Sequence, residues 1–438
     1  MFSYYLKLGW LSVRRNPLLS ALMIAAIAIG IGACMTIVTV NYAMGSNPIP
    51  HKSDQLFYVR LDNWDPNNVD DDDDNEPVDQ VTYTDSMALM KAAKAYRQVA
   101  SNRSNLVLEP ENPDERPFTV DSRNTFADFF PMFDLPFKYG SGWDKSADEN
   151  LERVVVLNQE MNEKIFGGEN SVGRSVRMDG MDFKVVGVLD RYIPVPKFYD
   201  VTNGAFNEPE DLYIPFNLSI EYEFSRNGNT NCWKKPDGDG FEAFLNSECV
   251  FIQFWAELRN DQEKQEYMDF LNAYVEQQKL LGRFPKPMNN RLDNVMEWME
   301  NQEVVEEDAQ MMLGLSFLFL LVCLLNTIGL LLAKFLGKSG DIGLRRALGA
   351  SRSSLFTQHM IEAGLIGLGG GILGLGLTWL GLRGINSLFG EYVQNLVHLD
   401  WAMVLAAIGL AIVSALLAGL YPTWRACRVA PAGQLKTQ

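Results

Sequence analysis

Histidine is scarce in this 438-residue chain: there are three, His51, His359 and His398, far apart in sequence. No pair has the spacing of a zinc site, so no metal centre is expected. Basic residues are also in deficit, 38 against 55 acidic, a net charge of -17. That leaves no basic footprint for a nucleic acid. No nucleophile, base and orienting group fall together in a recognisable pattern, which argues for a non-catalytic chain. Proline is missing from Met288 to Tyr421, so a helix entering that region can run unkinked. Charge itself is nearly absent from four stretches: Leu18 to Met44, Met311 to Ala333, Ala363 to Leu382, and Trp401 to Trp424.

Those stretches are what the chain has instead. At 1.5 Å rise per residue, about 20 apolar residues cross the roughly 30 Å hydrocarbon core of a bilayer, so four transmembrane helices are expected. Their flanks carry the positive charge: Lys7, Arg14 and Arg15 before the first, Lys334, Lys338, Arg345, Arg346 and Arg352 between the second and third, and Arg425, Arg428 and Lys436 after the fourth. The positive-inside rule puts all three segments, and both termini, in the cytoplasm. Gly45 to Gln310 then lies outside, with 26 basic and 51 acidic residues. The first apolar run is too long for a cleavable signal and reads as an anchor. Ahead of it "FSYYLKLGWLSVRRN" reads as an amphipathic helix with Tyr4, Leu8 and Leu11 on one side, lying on the inner membrane surface.

The resulting division is a cytoplasmic amphipathic helix over 1–16, the first span over 17–44, an outer domain over 45–290, and a stalk with the second span over 291–335. A cytoplasmic loop over 336–354, a third span over 355–383, a short outer loop over 384–400, a fourth span over 401–424 and a tail over 425–438 complete it. The outer domain reads as α+β, with strands at Gln55 to Asp62, "RVVVL", "FKVVGVL" and Cys249 to Leu258, and helices at Asp85 to Val99 and Asp261 to Leu281. Cys232 and Cys249 both lie outside, where an oxidising space favours a disulfide between them. Asp70 to Asp74 could be taken for a calcium loop, but adjacent like charges lack the alternating ligand spacing of one, and a solvated loop is expected. The acidic segment "EWMENQEVVEED" leaves open whether one unbroken helix runs from about Asn290 into the second span.

"FGGENSVGRS", Phe166 to Ser175, imitates a phosphate-binding loop, yet the order around it is inverted. A phosphate loop follows a strand and opens a helix; here a helical segment precedes and an Asp179-Gly180 hairpin follows. In the third span Gly367 with Gly371, and Gly370 with Gly374, have the spacing that lets helices approach closely, within one chain or across a dimer. In the loop "GKSGDIGLRRALGASRSSLF", Ser339 or Asp341 is expected to cap a short helix. Leu344 and Leu348 would stack on it, Gly349 end it and Ser351 cap the next, presenting Arg345 and Arg346 at the inner surface.

"DIGLRRALGASRSSLFTQHMIEAGLIGLGGGILG" and "AGLYPTWRACRVAPAGQL" resemble the permease signature of the MacB and FtsX-like family of ABC transporters. "FADFFPMFDLPFKYGSGW" and "VVVLNQEMNEKIFGGENSVGRSVRMDGMDFKVVGVL" resemble the family's periplasmic core domain. The resemblance implies an α-helical membrane protein with four transmembrane helices and a large α+β periplasmic domain, with porter-like and sabre-like parts, inserted between helices 1 and 2. It implies a bacterial inner-membrane permease paired with a second copy or a homologous permease, and two cytoplasmic ABC ATPase subunits binding the ATP and Mg. It gives Asp341, Ile342, Gly343, Arg345, Arg346, Leu348 and Gly349 the role of coupling to that ATPase. A mechanotransmission cycle follows, in which ATP-driven closure acts on a periplasmic substrate, with an adaptor protein and an outer-membrane channel as further partners. Lipoprotein release of the LolC and LolE type, and FtsX-like signalling to an extracellular hydrolase, are the alternatives it leaves.

Overall fold

The computed structural model describes residues 2–65, 67, 76–110, 112, 114–305, 307–389 and 401–428. The chain forms two compact units, Ser46–Val304 and a unit made of Met1–Gly45 with Val305–Gln438. The Asp70 to Asp74 tract lies outside the described residues.

The second unit begins with α1 (Phe2–Arg15) and α2 (Pro17–Met44), separated at Asn16, where Pro17 opens α2 at a position that has no use for a backbone N–H. It resumes with α11 (Glu307–Leu336), α12 (Ser339–Ala347), α13 (Arg352–Phe389) and α14 (Trp401–Cys427), numbered to follow the helices of the inserted unit. Four helices, Pro17–Met44, Ala309–Leu336, Arg352–Ile385 and Met403–Cys427, are long and apolar enough to cross a membrane. Leucines such as Leu315, Leu318, Leu405 and Leu417 lie exposed along them, as lipid-facing residues must.

The inserted unit comprises β1 (Leu56–Arg60), β2 (Val81–Thr82), α3 (Tyr83–Ala92), β3 (Arg97–Glu109), β4 (Phe118–Thr125), α4 (Phe129–Met132), β5 (Phe137–Gly140), α5 (Lys145–Glu149), β6 (Val154–Leu157) and α6 (Gln159–Phe166). It continues with β7 (Ser175–Met178), β8 (Met181–Leu189), β9 (Leu212–Pro215), α7 (Phe216–Glu221), α8 (Phe241–Leu245), β10 (Val250–Glu257), α9 (Asp261–Leu280), β11 (Arg291–Asn294) and α10 (Val295–Asn301). The sheet order is β11-β1-β10-β3-β4-β9-β6-β8-β5. β3 joins its two halves: Arg97 to Ser101 pair with β10, and Asn102 to Leu108 pair with β4. One apolar cluster includes Phe57, Phe254 and Leu271 under α9, while another gathers Leu106, Val155 and Phe183 under α6.

One helix ends earlier than the sequence pattern suggests, and the question left open at Asn290 has an answer. The helix expected over Asp85 to Val99 stops at Ala92, because Ala93 turns left-handed (φ 49°) and the Gln98 amide, already in β3, donates to the carbonyls of Leu89 and Met90. Of the two alternatives for the segment after Asn290, a continuous rod into the second span is not the one formed. Arg291–Asn294 is a strand, α10 runs from Val295 to Asn301 behind an Asn294 capping box, and Glu303 is left-handed (φ 47°) before α11 starts at Glu307. With neither glycine nor proline in the segment, composition carries no sign of this stop.

Candidate functional site

The loop between α11 and α13 builds a short, firmly terminated helix. α12 follows α11 after Gly337 and Lys338, without a side-chain cap from Ser339 or Asp341. Its C-terminus is closed on both counts of a Schellman turn: Gly349 (φ 98°) donates to the Arg346 carbonyl at 3.2 Å, and Ala350 to the Arg345 carbonyl at 3.0 Å. Two residues on, the Ser351 hydroxyl accepts the Ser354 N–H at 3.1 Å and starts α13. The turn from α12 into α13 is thus set by a left-handed Gly349 and a Ser351 cap, roles that only a few residue types fill.

The faces of α12 differ. Ile342 and Gly343 are buried against the bundle, whereas Leu344 and Leu348 are 53% and 80% exposed. The two arginines do not simply point outward. Arg346 donates to the Cys427 carbonyl at 3.4 Å, tying α12 to the end of α14, and Arg345 donates to the Gln358 side chain at 3.1 Å on α13. Asp341 lies 3.9 Å from Arg15 of α1.

The two glycine rows of α13 face two different helices of the same chain. A Cβ placed on Gly367 would lie 2.5 Å from the Ala415 Cβ and 2.8 Å from the Ala411 carbonyl oxygen, and one on Gly371 would lie 3.0 Å from the Ala411 Cβ, all on α14. On Gly370 it would meet Ile27 at 2.5 Å, and on Gly374 it would meet Ile31 at 3.0 Å, both on α2. α13 is therefore wedged between α2 and α14, and its backbone is too close to either for a side chain.

A buried ionic cluster at one end of the bundle has no counterpart in the sequence reading. Lys334 of α11 and Glu362 of α13 approach to 2.7 Å with side chains 0% and 1% exposed. Lys334 also donates to the Ser20 hydroxyl of α2 at 2.9 Å, and Ser12 of α1 donates to the same Glu362 oxygen at 2.5 Å. Lys338 donates to Ser12, and His359 Nδ1 lies 3.6 Å from the second Glu362 oxygen. Ser12 of α1 and Lys334 of α11 thus meet on the Glu362 carboxylate of α13, and α2 joins through the Lys334–Ser20 bond. The available signal was the presence of Lys334 and Glu362 at the edges of apolar runs, since ionisable groups there are costly unless paired.

In the inserted unit, Gly168 to Ser175 follows helix α6 and leads into strand β7, the reverse of a phosphate loop. Arg174 stacks over Phe166 at 4.1 Å. Cys232 and Cys249 form a disulfide. Arg123 is fully buried between Asp200 and Glu210, with the Lys197 ammonium 3.4 Å from Glu210. Burial would raise the Glu210 carboxyl, but Arg123 and Lys197 outweigh it and hold it well below the usual range. Asp148 is the opposite case: burial pushes it up to about 6, against its hydrogen bonds from Ala127 N–H (2.9 Å) and the Trp143 indole (2.8 Å). Among the described residues no group of histidine, cysteine and carboxylate side chains could hold a metal ion.

Comparison with known proteins covers both units. Residues 20–265 match the MacB-like periplasmic core domain and residues 313–431 the FtsX-like permease C-terminal family. The chain is 20% identical over 436 residues to the uncharacterized ABC transporter permease YknZ of Bacillus subtilis, spanning 98% of both. It is 22% identical over 420 residues to the pyoverdine export ATP-binding/permease protein PvdT of Pseudomonas aeruginosa, covering 95% of this chain and 54% of that one. It is 23% identical over 391 residues to the macrolide export ATP-binding/permease protein MacB of Salmonella paratyphi A, covering 86% and 52%. The chain spans about half the length of these ATP-binding/permease relatives. Among solved structures, the periplasmic region of MacB from Actinobacillus actinomycetemcomitans aligns over 58% of this chain and 95% of its own, at 16% identity and a TM-score of 0.37.

Proposed function

Because the chain belongs to the ABC transporter permeases of the MacB and FtsX type, we propose that it is the membrane subunit through which a separate cytoplasmic ABC ATPase drives export or extraction of a substrate on the far side of the membrane. The observation that carries this reading is α12. A two-turn helix between two spans, stopped by Gly349 and followed by a Ser351 cap, keeps Leu344 and Leu348 exposed while Ile342 and Gly343 anchor it. Leu344 and Leu348, one helical turn apart, would offer a protein partner an apolar contact on that face.

Positive charge at both termini and around α12 supports a cytoplasmic location for that face, and so an outer location for the inserted unit in the bacterial inner membrane. A separate ATPase chain fits the end-to-end match with a relative named as a permease alone. In this arrangement Asp341, Ile342, Gly343, Arg345, Arg346, Leu348 and Gly349 together form the coupling element. Leu348 would contact the ATPase, Arg345 and Arg346 would fix the helix to α13 and α14, and ATP-driven closure of two permease copies would act on the outer domains. An adaptor and an outer-membrane channel are the further partners of an exporting assembly.

The test is the double variant Arg345→Glu/Arg346→Glu. It should remain in the membrane yet lose stimulation of ATP hydrolysis by the permease; unchanged stimulation would refute the assignment.

A further inference from the structure

α1, α12 and α13 enclose a cavity of about 220 Å³ beside the buried cluster. Its polar wall carries three cations, Arg15, Lys338 and Arg345, against a single carboxylate, Asp341. The nearby Glu362 carboxylate is paired with Lys334 at 2.7 Å and lies 3.7 Å from Lys338, so these groups together still carry a net positive charge: Arg15, Lys334, Lys338 and Arg345 against Asp341 and Glu362. His359 also lines the cavity; it is 4% exposed, and its Nδ1 faces the second Glu362 oxygen at 3.6 Å. Ser12 and Gln358 complete the polar lining, and Leu8 and Leu11 of α1 with Ile342 and Leu355 make the apolar part.

We propose that this cavity is a binding site for the phosphodiester headgroup of an anionic phospholipid, held by Arg15, Lys338 and Arg345 with its acyl chains along the outer side of α1. The excess of cations over carboxylates in the lining selects an anion, and a phosphate is the anion that a membrane surface supplies. The volume lies below the roughly 300–1,000 Å³ of pockets that enclose a whole organic ligand, so only a headgroup enters. The position selects a lipid as its source. The site sits at the charged ends of two membrane helices and beneath an amphipathic helix whose Tyr4, Trp10 and Leu11 are 60%, 57% and 52% exposed, the pattern of a helix lying in the bilayer interface. Basic pockets between membrane helices are places where anionic headgroups bind. Leu344 and Leu348 do not line the cavity, so a lipid here and a protein on the outer face of α12 are compatible. The proposal rests on the four helices being membrane spans and is independent of the ATPase assignment.

The full chain is exchanged into mixed phosphatidylglycerol and phosphatidylcholine, purified, and analysed by native mass spectrometry for retained lipid. Phosphatidylglycerol should be retained in preference, and Arg15→Gln should lower its retention about fivefold, the worth of one interfacial cation. The Arg15 side chain is 79% exposed, so this variant does not endanger folding. Arg14→Gln removes the same charge from the same helix without touching the cavity, and should leave retention unchanged. Soluble glycerol 3-phosphate should fail to displace the lipid. Equal retention of both lipids, an equal loss in Arg14→Gln, or displacement by glycerol 3-phosphate would each overturn the proposal, the last by making the site one for a free phosphate.

Discussion

Lys334 and Glu362, 2.7 Å apart and almost wholly buried, lock the second span to the third. Removing one partner of a buried pair strands the other charge, at a cost of about 3–5 kcal/mol, whereas replacing both with apolar residues removes the problem. Glu362→Ala is therefore expected to lower the unfolding midpoint of the purified protein sharply, and Lys334→Met/Glu362→Leu to recover most of the loss. Additive losses in the double variant would mean that the pair is not coupled in this way.

The glycine rows make a second prediction with an internal control. Gly367→Ala places a methyl 2.8 Å from the Ala411 carbonyl oxygen, a backbone atom that cannot move aside cheaply. Gly376, on the same helix, has nothing within 4 Å of a Cβ. Gly367→Ala should destabilise the bundle by about 1–3 kcal/mol through overpacking, while Gly376→Ala should be neutral or slightly stabilising. Thermal unfolding of the two variants side by side decides it.

Asp148 sets a pH dependence of definite sign. Its carboxyl is raised in the folded protein from 3.8 to about 6, so the fold favours the protonated form. The favourable contribution is complete below pH 4 and disappears as pH rises through 6, on the order of 3 kcal/mol in all. Denaturant unfolding of wild type against Asp148→Asn at pH 4 and pH 7 should show wild type losing about that much relative to the variant. Glu210, depressed by Arg123 and Lys197, works in the other direction: its contribution is present above its unfolded value of 4.5 and is lost at lower pH.

The Cys232–Cys249 disulfide closes a loop with a separation of 17 residues. Cross-linking a loop of that size is worth about 3 kcal/mol in the chain-entropy account. Cys232→Ser/Cys249→Ser should lower the stability of the inserted unit by roughly this amount, measured by urea unfolding. Thiol labelling of the wild-type protein should reach neither cysteine until a reductant is added.

Local punctuation was readable from the sequence because its physics is local. Gly349 ends a helix because the left-handed turn there suits glycine, the Asp179-Gly180 pair turns a hairpin, and four uncharged runs are long enough for a bilayer. What depends on three dimensions was not readable. The spacing of Gly367, Gly370, Gly371 and Gly374 defines faces of α13 but does not say that one meets α14 and the other α2. By sequence Lys334 is one more charge at the edge of a span, since its partner Glu362 stands 28 residues away on another helix. The left-handed Ala93 and Glu303, which end two helices, carry no glycine to announce them. The loop motif has Arg346 presented at the inner surface, and nothing in it announces the bond to the Cys427 carbonyl at the end of α14.

The central claim is that the outer face of α12 docks an ATPase, and recovery of that partner tests it most directly. The tagged chain, wild type or Leu344→Asp/Leu348→Asp, would be purified from its native membranes and assayed for a co-eluting ABC-type ATPase and for ATP hydrolysis. The account predicts that the wild type brings the ATPase with it and that the variant, present in the membrane at a normal level, does not. An ATPase retained by the variant at the wild-type ratio would contradict it.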